Sequence, residues 1–422
     1  NVDPYSYTSE MTVATASDIV LGGGLPSYTT VGSTVPVSLT WEKSTTYDLG
    51  LDLDFLNNRL SFSGDYYRRY TTDMYTPSIS LPSVYGTTSP KGNNAELRTT
   101  GWELSLTWRD SFKLGGKPFD YSIKAMVWDN RTVVTKYENA TRSLGTLKGY
   151  IQNGGSPSDF YEGMELGEMW GYTVAGLFRD QADIDSSATH DFTQASDKVT
   201  RPGQVKIADL DGNGFIDPGN FAVDDHGDLR IIGNQSPRYR YGVNLSARWN
   251  GIGLSVFLQG VGARDWYPGS DAGMFWGKYG RPFFALIPSI HNYTDDMYSA
   301  ERNNWDTAYW PRMTTYQSNG TKNWTRLLEI PNTRYIQSAA YLRVKNIQLD
   351  YSFPKHICSA IRLQGLKIYV NAENLFTFTP LHKYAPNFDP EGLSYDSDFA
   401  SAADGYTYPI LKSVTVGVNI TF

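Results

Sequence analysis

Apolar and polar residues alternate one by one through stretch after stretch of this chain, and a two-residue period commits a backbone to strands with two unlike faces. Tyr47, Leu49, Leu51, Leu53 and Phe55 oppose Asp48, Gly50, Asp52 and Asp54. A face that carries three aspartates requires water. Leu56-Asn57-Asn58 turns the chain, and Leu60, Phe62, Gly64 and Tyr66 return against Ser61, Ser63, Asp65 and Tyr67. Trp102, Leu104, Leu106 and Trp108 pair in the same way with Phe119, Tyr121, Ile123, Ala125 and Val127 across a Gly-Gly turn. Tyr241 to Trp249 runs into Asn250-Gly251, a strong two-residue hairpin signal, and Ile252 to Leu258 returns. Further strands are expected near 6–17, 340–353, 365–375 and 411–422, about ten in all. In the strand that begins at Leu342 the apolar phase slips before Ile347, which predicts a bulge at Asn346. The last strand keeps its alternation to the end: Val414, Val416, Val418, Ile420 and Phe422 against Thr415, Gly417, Asn419 and Thr421.

The connections between these strands sort by length. Segments 18–43, 71–97, 131–237, 264–339 and 376–410 are long, whereas 56–58, 110–118, 250–251 and 354–364 are short, in strict alternation. That parity fits an antiparallel β-barrel of the outer membrane, with short periplasmic turns and long extracellular loops. A soluble β-sandwich or propeller also alternates but has no reason to sort its loops. In the barrel reading Phe422 lies on the side of the short turns. No run of about eighteen apolar residues exists, which excludes a helical span and leaves a β-barrel span open. Aromatics make up 14% of the chain and charged residues 19%, an all-β composition with many turns. A formal charge of -7 supplies no basic stripe for nucleic acid. Cys358 is the single cysteine, so an internal disulfide or thiolate cluster is excluded. The start, Asn1-Val-Asp-Pro, is neither a start methionine nor a signal peptide, so the chain reads as a mature or truncated piece.

Trp41-Glu42-Lys43, Tyr47-Asp-Leu-Gly-Leu-Asp52, Leu56-Asn-Asn-Arg-Leu60, Asp65-Tyr-Tyr-Arg-Arg69, Gly101-Trp-Glu-Leu104, Ile231-Ile-Gly-Asn-Gln-Ser-Pro237, Tyr341-Leu-Arg-Val-Lys-Asn346, Asn371-Ala-Glu-Asn-Leu-Phe376 and Phe388-Asp-Pro-Glu391 stand in an order that, with the closing strand, resembles SusC-like TonB-dependent outer-membrane transporters of Bacteroidota. The resemblance runs from about Trp41 to Phe422. It implies the C-terminal part of a 22-stranded barrel in the outer membrane. It also implies a plug and TonB box outside residues 1–422, TonB itself as energy source, and a SusD-like surface lipoprotein as partner. The cargo would be oligosaccharides or peptides, and a terminal aromatic such as Phe422 would be read during barrel assembly.

The sharpest local motif is Asp209-Leu-Asp211-Gly-Asn213-Gly-Phe215-Ile-Asp217. Oxygen donors at the first, third, fifth and ninth places, a glycine at the sixth and a backbone carbonyl from Phe215 match the start of an EF-hand-type calcium loop. The twelfth place is Asn220, not Glu, and no flanking helices are expected. By the family resemblance, Asp228 before Ile231-Ile-Gly supplies the missing acid, with Asp224 and Asp225 as competitors. The competing reading is an acidic turn without metal. All-oxygen ligands favour Ca2+ in a structural role, fixing a connection that buries little core by itself. The loop 264–339 is crowded with aromatics, of which Trp276, Tyr279, Trp305 and Trp310 are candidates for stacking on cargo; packing within the loop is the plainer reading for most of them. The five histidines are isolated and no nucleophile elbow or HExxH is present, so no enzyme is expected. The alternatives to an importer are a calcium-dependent glycan-binding surface protein and a small barrel hydrolase.

Overall fold

A computed structural model describes residues 11–16, 23–31, 39–77, 91–139, 142, 144, 160–190, 200–268, 272–276, 296–312, 331–393 and 410–422. β1 (Met11–Thr15) and β2 (Ser27–Val31) form a small hairpin of their own. β3 (Lys43–Phe55), β4 (Leu60–Pro77), β5 (Lys91–Leu114) and β6 (Lys117–Lys136) begin the main wall. The connection that follows carries β7 (Glu168–Tyr172), β8 (Val174–Leu177), β9 (Thr189–His190), β10 (Val205–Ile207), β11 (Phe215–Ile216) and β12 (Leu229–Asn234). The wall resumes with β13 (Arg238–Trp249) and β14 (Ile252–Ala263). After β15 (Asp265–Trp266) and β16 (Gln337–Ser338) it ends with β17 (Tyr341–Ser352), β18 (Gly365–Phe378) and β19 (Ser413–Thr421).

The wall is one antiparallel nine-stranded sheet in the order β3-β4-β5-β6-β13-β14-β17-β18-β19. The strand expected near 6–17 is present as β1 but pairs with β2, so the sheet carries one strand fewer than the sequence count. Register explains the alternation. Phe55, Leu60, Trp108, Ile123, Leu245, Val256, Ile347, Ala372 and Val414 lie side by side across all nine strands. The next row, Asp54, Ser61, Thr107, Lys124, Asn244, Phe257, Asn346, Glu373 and Ser413, is polar but for one ring and faces the other way. Leu49 is 76% exposed and Val416 73%, so the apolar face has no protein cover among the described residues. A belt of this kind is what hydrocarbon accepts and water does not.

The short turns are built as the sequence predicts. Asn250 and Gly251 have φ of 48° and 87°, the two left-handed residues of the tightest hairpin. Leu56, Asn57 and Asn58 are left-handed as well, at 56°, 57° and 61°. The bulge is centred on Lys345, one residue before the expected Asn346: Val344 pairs with Leu258 and Asn346 with Phe257, which leaves Lys345 unopposed. On the long-connection side β4, β5 and β6 reach 18, 24 and 20 residues, against 12 for β13, β14 and β17.

The hydrophobic core sits in the connections, not in the wall. Tyr172, Leu229, Phe275, Tyr335, Ala339, Leu381 and Ala385 are fully buried there, and Val134 joins them from β6. The expectation that a long loop buries little core is therefore corrected. The connections from 131–237, 264–339 and 376–410 fold on one another and pool apolar side chains that none could bury alone.

Candidate functional site

The acidic loop between β10 and β11 is held by its own backbone. Gly212 and Gly214 adopt φ of 77° and 85°, open to glycine and strained for other residues. Asp209 accepts from the amides of Gly212 and Gly214 at 2.6 and 3.0 Å, Asp211 from that of Asn213 at 3.0 Å, and Asn213 Oδ1 from that of Phe215 at 2.7 Å. β11 then lies parallel to β9, with Thr189 N donating to Gly214 O at 2.9 Å. His190 closes the base: its Nδ1 meets Ala188 O at 2.8 Å and its Nε2 accepts from Ile207 N at 2.9 Å. Burial holds this imidazole below its ordinary pKa, which suits a ring that must keep one nitrogen as acceptor.

Asp228, fully buried, accepts from Leu210 N at 2.6 Å and Asp217 N at 3.0 Å, joining the start and end of the loop. Asp224 and Asp225 take no part in that closure; Asp225 instead caps the neighbouring turn through Asn220. Carboxylate oxygens of Asp209, Asp211 and Asp228 lie within 4.8 Å of one another. Ligand oxygens at about 2.4 Å from one Ca2+ are separated by at most about that distance, so these three carboxylates fit a shared cation. Partial burial works against ionisation of Asp209, yet the Gly214 and Gly212 amides prevail and hold its carboxyl below the usual range. The other expected donors make local hydrogen bonds as well. Asp217 accepts from Gly219 N at 2.7 Å, and Asn213 directs its Nδ2 at Asp211 and Asp217 while its oxygen serves Phe215. Phe215 keeps its side chain exposed at the loop tip.

Of the four aromatic candidates, Trp276 and Trp310 are 3% and 1% exposed and belong to the loop core. Trp310 stacks on Tyr335 at 5.6 Å and meets Phe275 at 5.3 Å, and Trp276 meets Tyr335 at 5.5 Å. Trp305 packs partly buried against the same core, and Tyr279 lies outside the described residues. Trp276 and Trp310 meet edge to face at 6.2 Å, so neither ring is open to solvent.

A third feature was visible in the sequence only as separate motifs. Residues 380–393 form a strap clamped to the wall by Arg343, itself 98% buried by side chain. Arg343 Nη2 donates to Asp389 at 2.7 Å, Nη1 lies 3.1 Å from Glu391, and Lys345 Nζ lies 2.7 Å from the same Glu391 oxygen. Arg264 donates to the carbonyls of Pro390 and Leu393, Trp266 meets Phe388 at 4.9 Å, and Tyr384 stacks on Tyr309 at 3.7 Å. The Tyr341-Leu-Arg-Val-Lys345 and Phe388-Asp-Pro-Glu391 segments are thus the two halves of one ion cluster. Alternation alone could not pair residues so far apart in the chain.

Comparison with known proteins gives a consistent result. Residues 4–213 match the family model described as TonB dependent receptor-like, beta-barrel. The chain is 27% identical over 392 residues to TonB-dependent receptor P3 of Formosa agariphila, covering 91% of this chain and 34% of that protein. It is 24% identical over 395 residues to TonB-dependent receptor SusC of Bacteroides thetaiotaomicron, covering 91% and 32%. Among solved structures it resembles the RagAB peptide transporter, with TM-score 0.63 and 18% identity over 99% of this chain and 39% of that one. The RagAB peptide importer in the open-open state gives TM-score 0.66. The chain spans about a third of the length of the curated relatives it matches.

Proposed function

This chain belongs to the TonB-dependent receptor-like β-barrel family, outer-membrane proteins that receive and transport rather than catalyse, and from that premise we propose that it is wall and loops of a nutrient importer. The observation that carries the reading is the apolar row running unbroken from Phe55 to Val414 with a polar row beside it, a wall made to separate lipid from a wet lumen. A soluble glycan-binding module would have no use for such a belt. The cargo is an oligosaccharide or peptide, taken up with TonB as energy source and a SusD-like lipoprotein over the mouth. The long connections face outward and the short turns, with Phe422, face the periplasm. The acidic loop holds one structural Ca2+ through Asp209, Asp211 and Asp228. That ion supplies positive charge where three carboxylates converge, and the ligands keep the loop tip in one shape; no reaction is assigned to it.

Import is tested by deleting the gene for the full-length protein in its host and following uptake of fluorescent oligosaccharides and peptides. Uptake of at least one cargo class is expected to fall to background and to return on complementation. Unchanged uptake of every class offered would sink the importer reading.

A further inference from the structure

Beside the strap lies a cavity of about 360 Å³ whose lining includes Arg343, Asn374, His382, Asn387, Asp389 and Lys412. We propose that it is a subsite for a carboxylate carried by the cargo, adjacent to a hydroxyl or amide N–H of the same molecule; the proposal rests on the importer reading above. Two observations point there.

The first is charge. Among the described residues, Arg343, Lys345 and Lys412 bring three cations to this corner, and two carboxylates, Asp389 and Glu391, answer them. Both acids are engaged by the strap clamp: Asp389 Oδ1 accepts from Arg343 and from Glu391 N at 2.9 Å, and Glu391 serves Arg343 and Lys345. Glu373, the next nearest acid along β18, is outside the lining and accepts from Ser413 Oγ at 3.0 Å. The exposed Lys412 ammonium is left without a carboxylate within ion-pair distance among the described residues. Lys412, the buried Arg343 and Asn387 all line the cavity, so an anion entering it would have an ammonium and an amide donor at hand.

The second is an unmet acceptor. Asn374 is fixed in a left-handed conformation, φ 53°, and its Nδ2 donates to Leu411 O at 3.1 Å. Its Oδ1 is buried and has no donor among the described residues. A buried carbonyl oxygen without a donor costs free energy that a ligand O–H or N–H recovers. His382 is already committed through Nε2 to Phe388 O at 3.2 Å. A carboxylate beside a donor group is found in a uronic sugar, where the donor is a hydroxyl, and at a peptide terminus, where it is the amide.

The test is calorimetry on the full-length protein in detergent with four probes: trigalacturonate, maltotriose, trialanine and trialaninamide. At least one carboxylate probe is expected to bind ten times or more tighter than its neutral counterpart, trigalacturonate marking a sugar source and trialanine a peptide one. Lys412→Glu, a change at an exposed site that leaves the clamp intact, is expected to cut that affinity at least tenfold, and Lys412→Gln by less. Equal affinity for charged and neutral probes overturns the subsite, as does full affinity in Lys412→Glu. Intact uptake with charge-indifferent binding refutes the subsite alone; a carboxylate preference without uptake of any cargo refutes the importer reading and leaves the subsite standing.

Discussion

Asp228 is where the acidic loop is decided. Its two oxygens tie Leu210 and Asp217 by their amides, so the loop closes even as three carboxylates crowd together, an arrangement that like charges oppose and a cation relieves. The pairing asks for a direct check. Full-length protein carrying Asp209→Ala and Asp211→Ala is expected to drop from about one bound calcium per chain to none by elemental analysis, as an EF-hand-type site stripped of its leading acids should. Calcium should also cease to raise its melting temperature. Full metal content in the double variant would refute the ligand set. At this scale the run from Asp209 to Asp217 announced itself through spacing alone. The side-chain directions of Asn213 and Asp217 did not, because an Asx side chain that can satisfy a neighbouring amide gives no sign of doing so in one dimension.

Strands of this wall use glycine and tyrosine as partners. Tyr67 faces Gly101, Tyr241 faces Gly260 and Tyr369 faces Gly417, each directly opposite in register. In all three a methyl on the glycine would stand within 2.4 Å of the ring, so the tyrosine lies across the bare backbone and covers it. Gly417→Val, whose first carbon would sit 2.2 Å from Tyr369 Cζ, is expected to cost about 1 to 3 kcal/mol by overpacking. The measurement is the fraction of heat-modifiable folded barrel on cold gels: it should fall in Gly417→Val and recover when Tyr369→Ala is added. An unchanged fraction in the single variant would contradict the pairing. The alternation of residues 47–55 or 241–249 made these strands legible, since period and turn are local properties. The glycine partners and the Arg343 clamp were not, because both belong to register between segments, and the bulge at Lys345 shifted that register by one residue from where the apolar phase alone placed it.

The whole molecule divides its apolar residues between two solvents. Val414 and its row face lipid, whereas Tyr335, Trp310 and Leu229 hide from water in a core that the connections supply and Val134 of β6 joins. Composition blurred this, since both uses draw on the same residue types and only the lipid-facing set is periodic. The orientation can be read by labelling. On intact cells a membrane-impermeant maleimide is expected to reach a cysteine placed at exposed Phe215 and not one placed at Asn250, with both labelled once the envelope is broken. The reverse pattern would overturn the outward assignment of the long connections. The unequal strands set the shape of what stands outside. Twenty-four residues of β5 at about 3.3 Å each, tilted by about 40°, rise about 60 Å, of which the apolar band takes about 25 Å. The twelve-residue strands β13, β14 and β17 end near the top of that band. The rim of this wall is therefore uneven: a stiff parapet of hydrogen-bonded strands along β4–β6 steps down to a low sill along β13, β14 and β17 beside it. In the importer proposed above, cargo would meet a rim that already has a high and a low side, set by strand length alone.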